Sequence, residues 1–248
     1  MPLMPSRPLG IAVVGLLSIF LATFVANPAH AFEGELKAKL SGQPGASMKV
    51  HAWYSNAGDV RIDTVGKSTE GQMMRGSTIM PAAGKSYYSI SHNQKVIVEV
   101  PYEALRASSG DVAGKGRDPS LEIEKLGTET VSGVETEHVR VLDKDNNATI
   151  DLWMTPKYPP DLWTQAFRGR NLGLEMSDEE RMKAMKKYGV EPGFSMKMQV
   201  RQPGRPPVEF LVEEIKRSKV APDIFALPSG YRRVEGVVEK TLPKSADP

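Results

Sequence analysis

The clearest pattern in this chain is a strict alternation of apolar and charged residues that begins at position 32. The apolar or small residues are Phe32, Gly34, Leu36, Ala38 and Leu40, and the charged residues between them are Glu33, Glu35, Lys37 and Lys39. Successive side chains of a strand point to opposite faces of a sheet, so this pattern predicts a half-buried β-strand. The sheet should therefore have one dry face and one wet face.

Short stretches of the same kind recur along the chain, separated by turn-forming residues. Further strands are predicted at 48–55, 60–65, 72–80, 86–91, 95–100, 121–126, 135–142, 149–154, 194–200 and 208–212. Strands at this spacing predict an antiparallel meander, which resumes after a Ser/Gly/Asp-rich loop.

The period changes between residues 156 and 192, where the sequence predicts a helical segment. Ser177 and Glu180 form a capping box, and Gly189 supplies a C-terminal stop. A second, shorter helix is predicted at 162–167. The fold class is therefore mainly β with a helical segment (α+β).

The first 31 residues have the order of a cleavable signal peptide. Arg7 precedes an apolar run, and Ala29 and Ala31 place small side chains at the third and first positions before the cut. The run is also long enough for an uncleaved anchor, but glycine and hydroxyl residues interrupt it. We expect cleavage before Phe32 and a soluble protein exported to the periplasm.

The composition and length limit the possible anchors, cross-links, partners and number of domains. Cysteine is absent, so we expect neither a lipid anchor at the cleavage junction nor disulfide bonds. The 32 basic and 30 acidic residues nearly balance, which indicates no nucleic-acid partner. The remaining length suits a single domain over 32–234, followed by a tail at 235–248 that we expect to be disordered.

The sequence shows no catalytic constellation. The histidines left after cleavage, His51, His92 and His138, lie in no metal-ligand spacing. A nucleophile elbow and a cysteine nucleophile are both absent, and a Ser/His/Asp triad built from distant positions stays open without local support. We expect no enzyme, no cofactor and no bound metal.

Two segments look like ligand-binding loops but depart from them at decisive positions. In residues 110–116 the glycine spacing is one short, and Gly116 stands where a phosphate loop has Ser or Thr. Residues 143–147 begin like a calcium loop, but Ala148 replaces its glycine and Met154 its closing glutamate. We interpret the first as a loop and the second as a hairpin turn.

Methionine is the most unusual component of the composition. Ten remain after cleavage, namely Met48, Met73, Met74, Met80, Met154, Met176, Met182, Met185, Met196 and Met198. Core packing, a cavity lining for varied apolar ligands and Cu(I) binding are the three interpretations. Trp53, Trp153 and Trp163 leave the same choice between core and cavity.

Near the end of the chain, residues 222–231 read Pro-Asp-Ile-Phe-Ala-Leu-Pro-Ser-Gly-Tyr. This segment resembles the Phe-x-Leu-Pro-x-Gly-Tyr stretch that ends the sheet of bacterial envelope proteins related to the outer-membrane lipoprotein carriers. Residues 127–139 are similar to a glycine-containing strand pair of that superfamily, and residues 150–155 to its next strand. The motifs occur in the same order as in the superfamily, many members of which have no established function.

The resemblance implies a strongly curved antiparallel sheet that forms a half-open barrel, with helices covering its mouth and an apolar cavity between, but it assigns no binding site. Our first hypothesis is a carrier or sensor of a lipid, a lipoprotein acyl chain or another apolar ligand, with the 162–190 segment as the lid and transient membrane contact. The candidate cavity residues are Trp163, Phe167, Met182, Met185, Met196 and Met198. The alternative is an envelope scaffold for a protein partner, with a core filled by side chains.

Cleavage after Ala31 predicts that the mature protein begins at Phe32. N-terminal sequencing of exported protein measures this directly. Exported material whose sequence begins near Met1 would contradict the signal-peptide interpretation.

Overall fold

The computed structural model describes residues 32–42, 47–67, 71–102, 120–144, 147–159, 162, 186–187, 189–191 and 193–236. The predicted signal peptide, the loop at 107–119, most of the tail and nearly all of the predicted helical segment lie outside these residues. None of the helical residues in the described part belongs to a helix with the length and hydrophobicity needed to cross a membrane.

Twelve strands form a single sheet in the described part of the chain. They are β1 Gly34–Ser41, β2 Ser47–Tyr54, β3 Val60–Lys67, β4 Met73–Met80, β5 Ser86–Ser91, β6 Val96–Pro101, β7 Leu121–Val131, β8 Val134–Asp143, β9 Ala148–Thr155, β10 Phe194–Arg201, β11 Val208–Arg217 and β12 Arg232–Glu235. The mainly β class is confirmed. A 3₁₀ turn at Pro222–Phe225 precedes the last strand.

The strand order is β12-β6-β5-β4-β3-β2-β1-β11-β10-β9-β8-β7, and these strands do not close into a ring. Every neighbouring pair is antiparallel except β12 and β6, which are parallel. The predicted antiparallel sheet is confirmed except at this edge, where one parallel pair makes the sheet mixed. The strand β12 is missed by alternation because it is short and carries two arginines.

The hairpin of β7 and β8 shows how local geometry extends a strand beyond its predicted end. Gly127, with φ at 114°, lies at a register shift after Lys125. A β-bulge of this kind bends a strand without ending it, so β7 continues to Val131. The hairpin turn predicted at residues 143–147 is confirmed, because Val141 and Ile150 on either side of it pair in the β8–β9 ladder.

The sheet is weakly joined between β10 and β11. Their ladder pairs only Lys197–Val200 with Val208–Leu211, although both strands continue beyond it. The hydroxyl of Ser132, in the β7–β8 turn, donates to the carbonyl oxygen of Val212 in β11 at 2.6 Å. Three strand spacings separate β8 from β11 in sheet order, about 14 Å in a flat sheet. The hairpin must therefore curl past the ends of β9 and β10.

The C-terminal motif is anchored on the sheet before β12 begins. Leu227 and Tyr231 pack against a small buried cluster of Ile79, Ile90 and Ile97. The Tyr231 hydroxyl lies 3.0 Å from Nδ1 of His92. The motif thus covers part of β4, β5 and β6 and leads the chain to the sheet edge.

Tyr231 contributes both packing and a hydrogen bond. The variant Tyr231→Phe should remove only the hydrogen bond, because it keeps the ring. We expect the free energy of unfolding to fall by about 1 kcal/mol, the usual net value of one hydrogen bond. Urea denaturation measures this change. Tyr88→Phe is the matched control, because Tyr88 packs in the same cluster and its side chain forms no hydrogen bond within the described part of the chain. An equal loss in both variants would contradict the role given to the Tyr231 hydroxyl.

Candidate functional site

The dry face of the sheet carries two adjoining apolar clusters. The first includes Phe32, Leu36, Ala38, Val50, Ala52, Tyr54, Val60, Ile62, Met80, Phe194, Met196, Phe210 and Val212. The second consists of Val139, Val141, Ile150, Leu152, Met154 and Val190. The dry face predicted from the alternation of β1 is confirmed, since Leu36 and Ala38 are almost fully buried.

One cross-strand row joins the two clusters. Leu40 pairs with Phe210, Phe210 with Met198, Met198 with Leu152, and Leu152 with Val139. Residues paired across a ladder present their side chains on the same face. Five strands therefore contribute to one continuous apolar row about 19 Å long.

The segment that leaves β9 packs on the first cluster. Phe32 makes edge-to-face contacts with Tyr54 and Tyr158, at ring-centroid distances of 5.5 and 6.4 Å. Tyr158 contacts Phe194 in the same way at 5.8 Å, and the Tyr54 hydroxyl donates to the carbonyl oxygen of Leu162 at 3.2 Å. Leu162 is 1% exposed, so the chain enters the predicted lid from the dry face.

The segment that returns to β10 also lies on the dry face. Val190 is buried in the second cluster, and Phe194 at the start of β10 is buried in the first. Both ends of the region between β9 and β10 are therefore anchored on the apolar surface that the lid was predicted to cover.

The six predicted cavity residues divide into two groups. Met196 lies in the irregular part of β10, between Ser195 and Lys197, and is buried in the first cluster. Met198 is half-buried and packs against both clusters. The other four lie outside the described residues and stay predictions: Trp163, Phe167, Met182 and Met185.

A cleft of about 370 Å³ opens next to the second cluster. Its lining residues are Lys125, Thr128, Glu135, Thr136, Glu137, Met154, Thr155, Pro156, Gly189 and Glu191. The volume falls in the usual range for small-molecule sites, but the side chains are mostly polar and acidic. Only Met154 belongs both to this lining and to the second cluster, so the cleft differs in character from the apolar cavity that was predicted.

The wet side of β8, β9 and β10 carries a charged cluster around Asp151. This carboxylate is fully buried, with Oδ1 2.8 Å from Nε of Arg140 and 3.2 Å from Nε2 of His138. Its Oδ2 lies 2.7 Å from a guanidinium nitrogen of Arg201. On the other side of His138, Nδ1 lies 2.9 Å from Oε1 of Glu129.

Trp153 completes this cluster. Its ring stacks on the His138 ring at a centroid distance of 4.1 Å, and its indole N–H donates to Oε2 of Glu129 at 2.9 Å. The Lys197 ammonium lies 4.5 Å from the centre of the Trp153 ring, at cation–π distance. Trp153 therefore has a structural role between the charged cluster and the core.

Two carboxyl groups of the cluster have lowered pKa values. For Asp151, burial acts most strongly and raises the pKa, but hydrogen bonds from Arg140 and His138 and the charges of Arg140 and Arg201 together outweigh it. For Glu129, the hydrogen bond from Trp153 is the main cause of the lower pKa, with a smaller contribution from His138. Both groups are therefore held as carboxylates.

A second polar cluster brings together Ser77, His92 and Asp63, the residue types of a catalytic triad. The Ser77 hydroxyl donates to Oδ1 of Asp63 at 2.6 Å and lies 2.6 Å from Nε2 of His92. Arg61 holds the same carboxylate through two N–H groups. A carboxylate only accepts hydrogen bonds, and the hydroxyl has one proton, so Nε2 of His92 must donate to Ser77. In the neutral imidazole, Nδ1 then accepts from the Tyr231 hydroxyl.

A histidine that already donates to the serine is not placed to accept the serine proton, as a general base must. Ser77 is also only 4% exposed. This cluster is therefore a hydrogen-bond chain that ties the C-terminal motif to β3 and β4, and it is not a catalytic triad. The sequence does not predict this cluster because its members are far apart in the chain. Asp63 and Ser77 lie on β3 and β4, His92 in the turn after β5, and Tyr231 in the C-terminal motif.

The remaining histidine is paired as well, since Nε2 of His51 lies 2.8 Å from Oε2 of Glu35. Among the described residues, no group of three or more His, Cys, Asp or Glu side chains is arranged to hold a metal ion. For Asp151, a sequence signal did exist, because it is a charged residue inside an otherwise apolar strand.

These observations describe a β protein built on one sheet whose dry face carries two adjoining apolar clusters. Residues 32–231 match the family described as "Domain of unknown function (DUF4412)", and the chain belongs to that family. No curated protein matches the chain.

Several solved structures are similar to the chain. An uncharacterized conserved protein from Thermus thermophilus is 9% identical, with 86% of this chain and 94% of that chain covered and a TM-score of 0.48. The Mycobacterium tuberculosis lipoprotein LppX is 9% identical, with 76% and 89% covered and a TM-score of 0.39. A chain of the Pseudomonas aeruginosa MucA/MucB complex is 10% identical, with 84% and 60% covered and a TM-score of 0.41.

The family shown by the match has no assigned function, which agrees with the expectation of a relative without an established function. The relationship to the lipoprotein-carrier superfamily stays a prediction.

The buried carboxylate of Asp151 predicts a pH-dependent contribution to stability. At pH 7, Asp151→Asn should lower the free energy of unfolding by about 3 kcal/mol, the lower end for breaking a buried ion pair, because Arg201 is half exposed. The pKa of Asp151 is lowered by folding, so its contribution is present above the ordinary value of about 3.9 and is lost as the pH falls through the folded value.

Urea denaturation of both proteins at pH 7 and near pH 3 measures this difference. Glu122→Gln is the control, because Glu122 forms an exposed pair with Lys144 and should change stability by less than about 0.5 kcal/mol. A wild-type advantage over Asp151→Asn that does not shrink on acidification would contradict the ion-pair account.

Proposed function

We propose that the protein is a periplasmic, non-enzymatic binding protein for a lipid, a lipoprotein acyl chain or another apolar ligand, and that it acts as a carrier or sensor. The observation that carries the proposal is the apolar row from Leu40 to Val139, which crosses five strands. The N-terminal signal pattern supports the location outside the cytoplasm.

The proposed ligand lies between this row and the 162–190 segment. Each methylene that moves from water to apolar contact gains about 0.8 kcal/mol, so a long acyl chain along the row has a large favourable term. Met198, at the centre of the row, has a flexible and polarisable side chain that adapts to ligands of different shape. The anchoring of Leu162 and Val190 on the dry face supports a lid at this position.

The second candidate function is an envelope scaffold whose core is filled by side chains. It is favoured by the near-complete burial of Leu36, Val139 and Met196, which leaves little of the dry face open around these residues. The two functions differ in what displaces the covering segment: an apolar ligand in the first, and nothing in the second.

A fluorescent fatty-acid probe and native mass spectrometry of the purified mature protein distinguish them. A binding protein takes up the probe with a defined stoichiometry or carries lipid from its host. A protein that carries no lipid and takes up no probe would refute the proposal and leave the scaffold.

The variant Met198→Glu should weaken probe binding at least about tenfold, because a charge in the apolar row must be desolvated when the ligand binds. Thr149→Glu is the matched control, because Thr149 pairs with Arg201 on the wet side and adds the same charge. We expect it to bind the probe within about twofold of wild type. Circular dichroism checks the fold of both variants, and Met198→Gln replaces Met198→Glu if the latter unfolds.

Equal binding by Met198→Glu and Thr149→Glu, with both proteins folded, would show that the probe does not use the apolar row.

A further inference from the structure

One end of the sheet, where β2, β3 and β4 meet, differs from the rest of the surface. We call it the basic rim, and it consists of Lys49, Val65, Lys67, Met73 and Arg75. Val65 and Met73 are 38% and 44% exposed, and they account for two of the five large apolar side chains exposed in the described part of the chain. Exposed apolar residues gathered at one place indicate an interaction surface.

The strand register brings these residues together. Lys49 pairs with Val65, and Val65 pairs with Arg75, so a charge flanks an apolar side chain on each side. Two residues further along, Lys67 pairs with Met73. Neighbouring strands are about 4.8 Å apart, so the three basic groups and the apolar side chains form one compact patch.

The basic side chains of the rim keep their charge unneutralised. Within the described part of the chain, the side chains of Lys49, Lys67 and Arg75 form no ion pair and no hydrogen bond. Other lysines on the sheet are neutralised locally, as Lys37 is by Glu214 at 2.6 Å and Lys125 by Glu137 at 2.9 Å. The rim therefore keeps a local positive charge in a chain that is nearly neutral overall.

The sequence around the rim also has a net positive charge. The segments 43–49 and 65–75 contain the three basic residues of the rim and one acidic residue, Glu70. A surface that combines unpaired cations with exposed apolar side chains matches two features of a lipid bilayer surface, which are its anionic head groups and the apolar layer beneath them. Long lysine and arginine stems add apolar contact of their own.

We propose that the basic rim docks the protein on an anionic lipid surface. The charges of Lys49, Lys67 and Arg75 attract the head groups, and Val65 and Met73, on the same face, enter the interfacial layer. Each basic residue near an anionic membrane strengthens attachment about fivefold, so three give reversible attachment and not permanent anchoring. The proposal does not depend on the apolar row and holds whether or not the protein carries a ligand.

Vesicle flotation with the mature protein tests the docking surface. Vesicles of phosphatidylglycerol and phosphatidylethanolamine in equal parts should bind the protein, whereas pure phosphatidylcholine vesicles should not. Binding should fall steeply between about 0.05 and 0.5 M salt, because salt screens the attraction. No binding to the anionic vesicles, or equal binding to both kinds, would overturn the proposal.

Two variants separate the charges from the apolar side chains. Lys49→Gln/Lys67→Gln/Arg75→Gln should lower the affinity for anionic vesicles about 100-fold. Val65→Thr/Met73→Ser should keep the salt dependence but bind more weakly by about tenfold. All five positions are exposed, so both variants should keep the wild-type melting temperature.

The matched control removes three exposed basic residues from elsewhere on the described surface, as Lys85→Gln/Lys219→Gln/Arg233→Gln. It has the same net charge as the rim variant and should bind within about threefold of wild type. An equal loss in the control and the rim variant would mean that overall charge, and not the rim, attracts the membrane. Capture of an acidic protein by the rim, with no vesicle binding, would refute the lipid surface as its partner.

Discussion

The structure depends on one constraint, which is that a single sheet with one dry face must cover that face. The strands of β1 to β4 and β8 to β11 place their apolar side chains in continuous cross-strand rows, and an uncovered row of this length would expose a large apolar area to water. The connection from β9 to β10 starts at Tyr158 and Leu162 and returns at Val190, all on the dry face. The surface that this connection must cover is also the surface that we propose for binding an apolar ligand.

The wet side meets a different demand. Asp151 sits in a buried position of β9, where an unpaired carboxylate would be costly. Arg140, Arg201 and His138 compensate from the two neighbouring strands, and Glu129 and Trp153 extend the network to β7 and the core. The network links β7, β8, β9 and β10 on the far side of the short β10–β11 ladder. It therefore ties these four strands together through their side chains, in addition to their backbone ladders.

The contacts of the C-terminal motif explain why its aromatic and apolar residues are needed. Its aromatic and apolar residues cover Ile79, Ile90 and Ile97, and Tyr231 ends a chain of hydrogen bonds through His92 and Ser77 to Asp63. After this crossing the chain meets β6 in the parallel direction. Ser77, His92 and Asp63 are the residue types of a catalytic triad, but here they hold a chain segment in place. Whether such a set can be catalytic depends on which atom donates each hydrogen bond, and not on the residue types alone.

By itself, the sequence determined eleven of the twelve described strands, the dry and wet faces of β1, and the turns of the main hairpins. These features depend on alternation and turn residues within a few positions of one another. The resemblance of the C-terminal motif to the lipoprotein-carrier superfamily came from sequence as well. Tertiary structure alone decided the parallel edge strand, the charged network at Asp151, the Ser77 chain and the basic rim. Each of these joins side chains from strands distant in sequence, and their meeting depends on register, which no local pattern specifies.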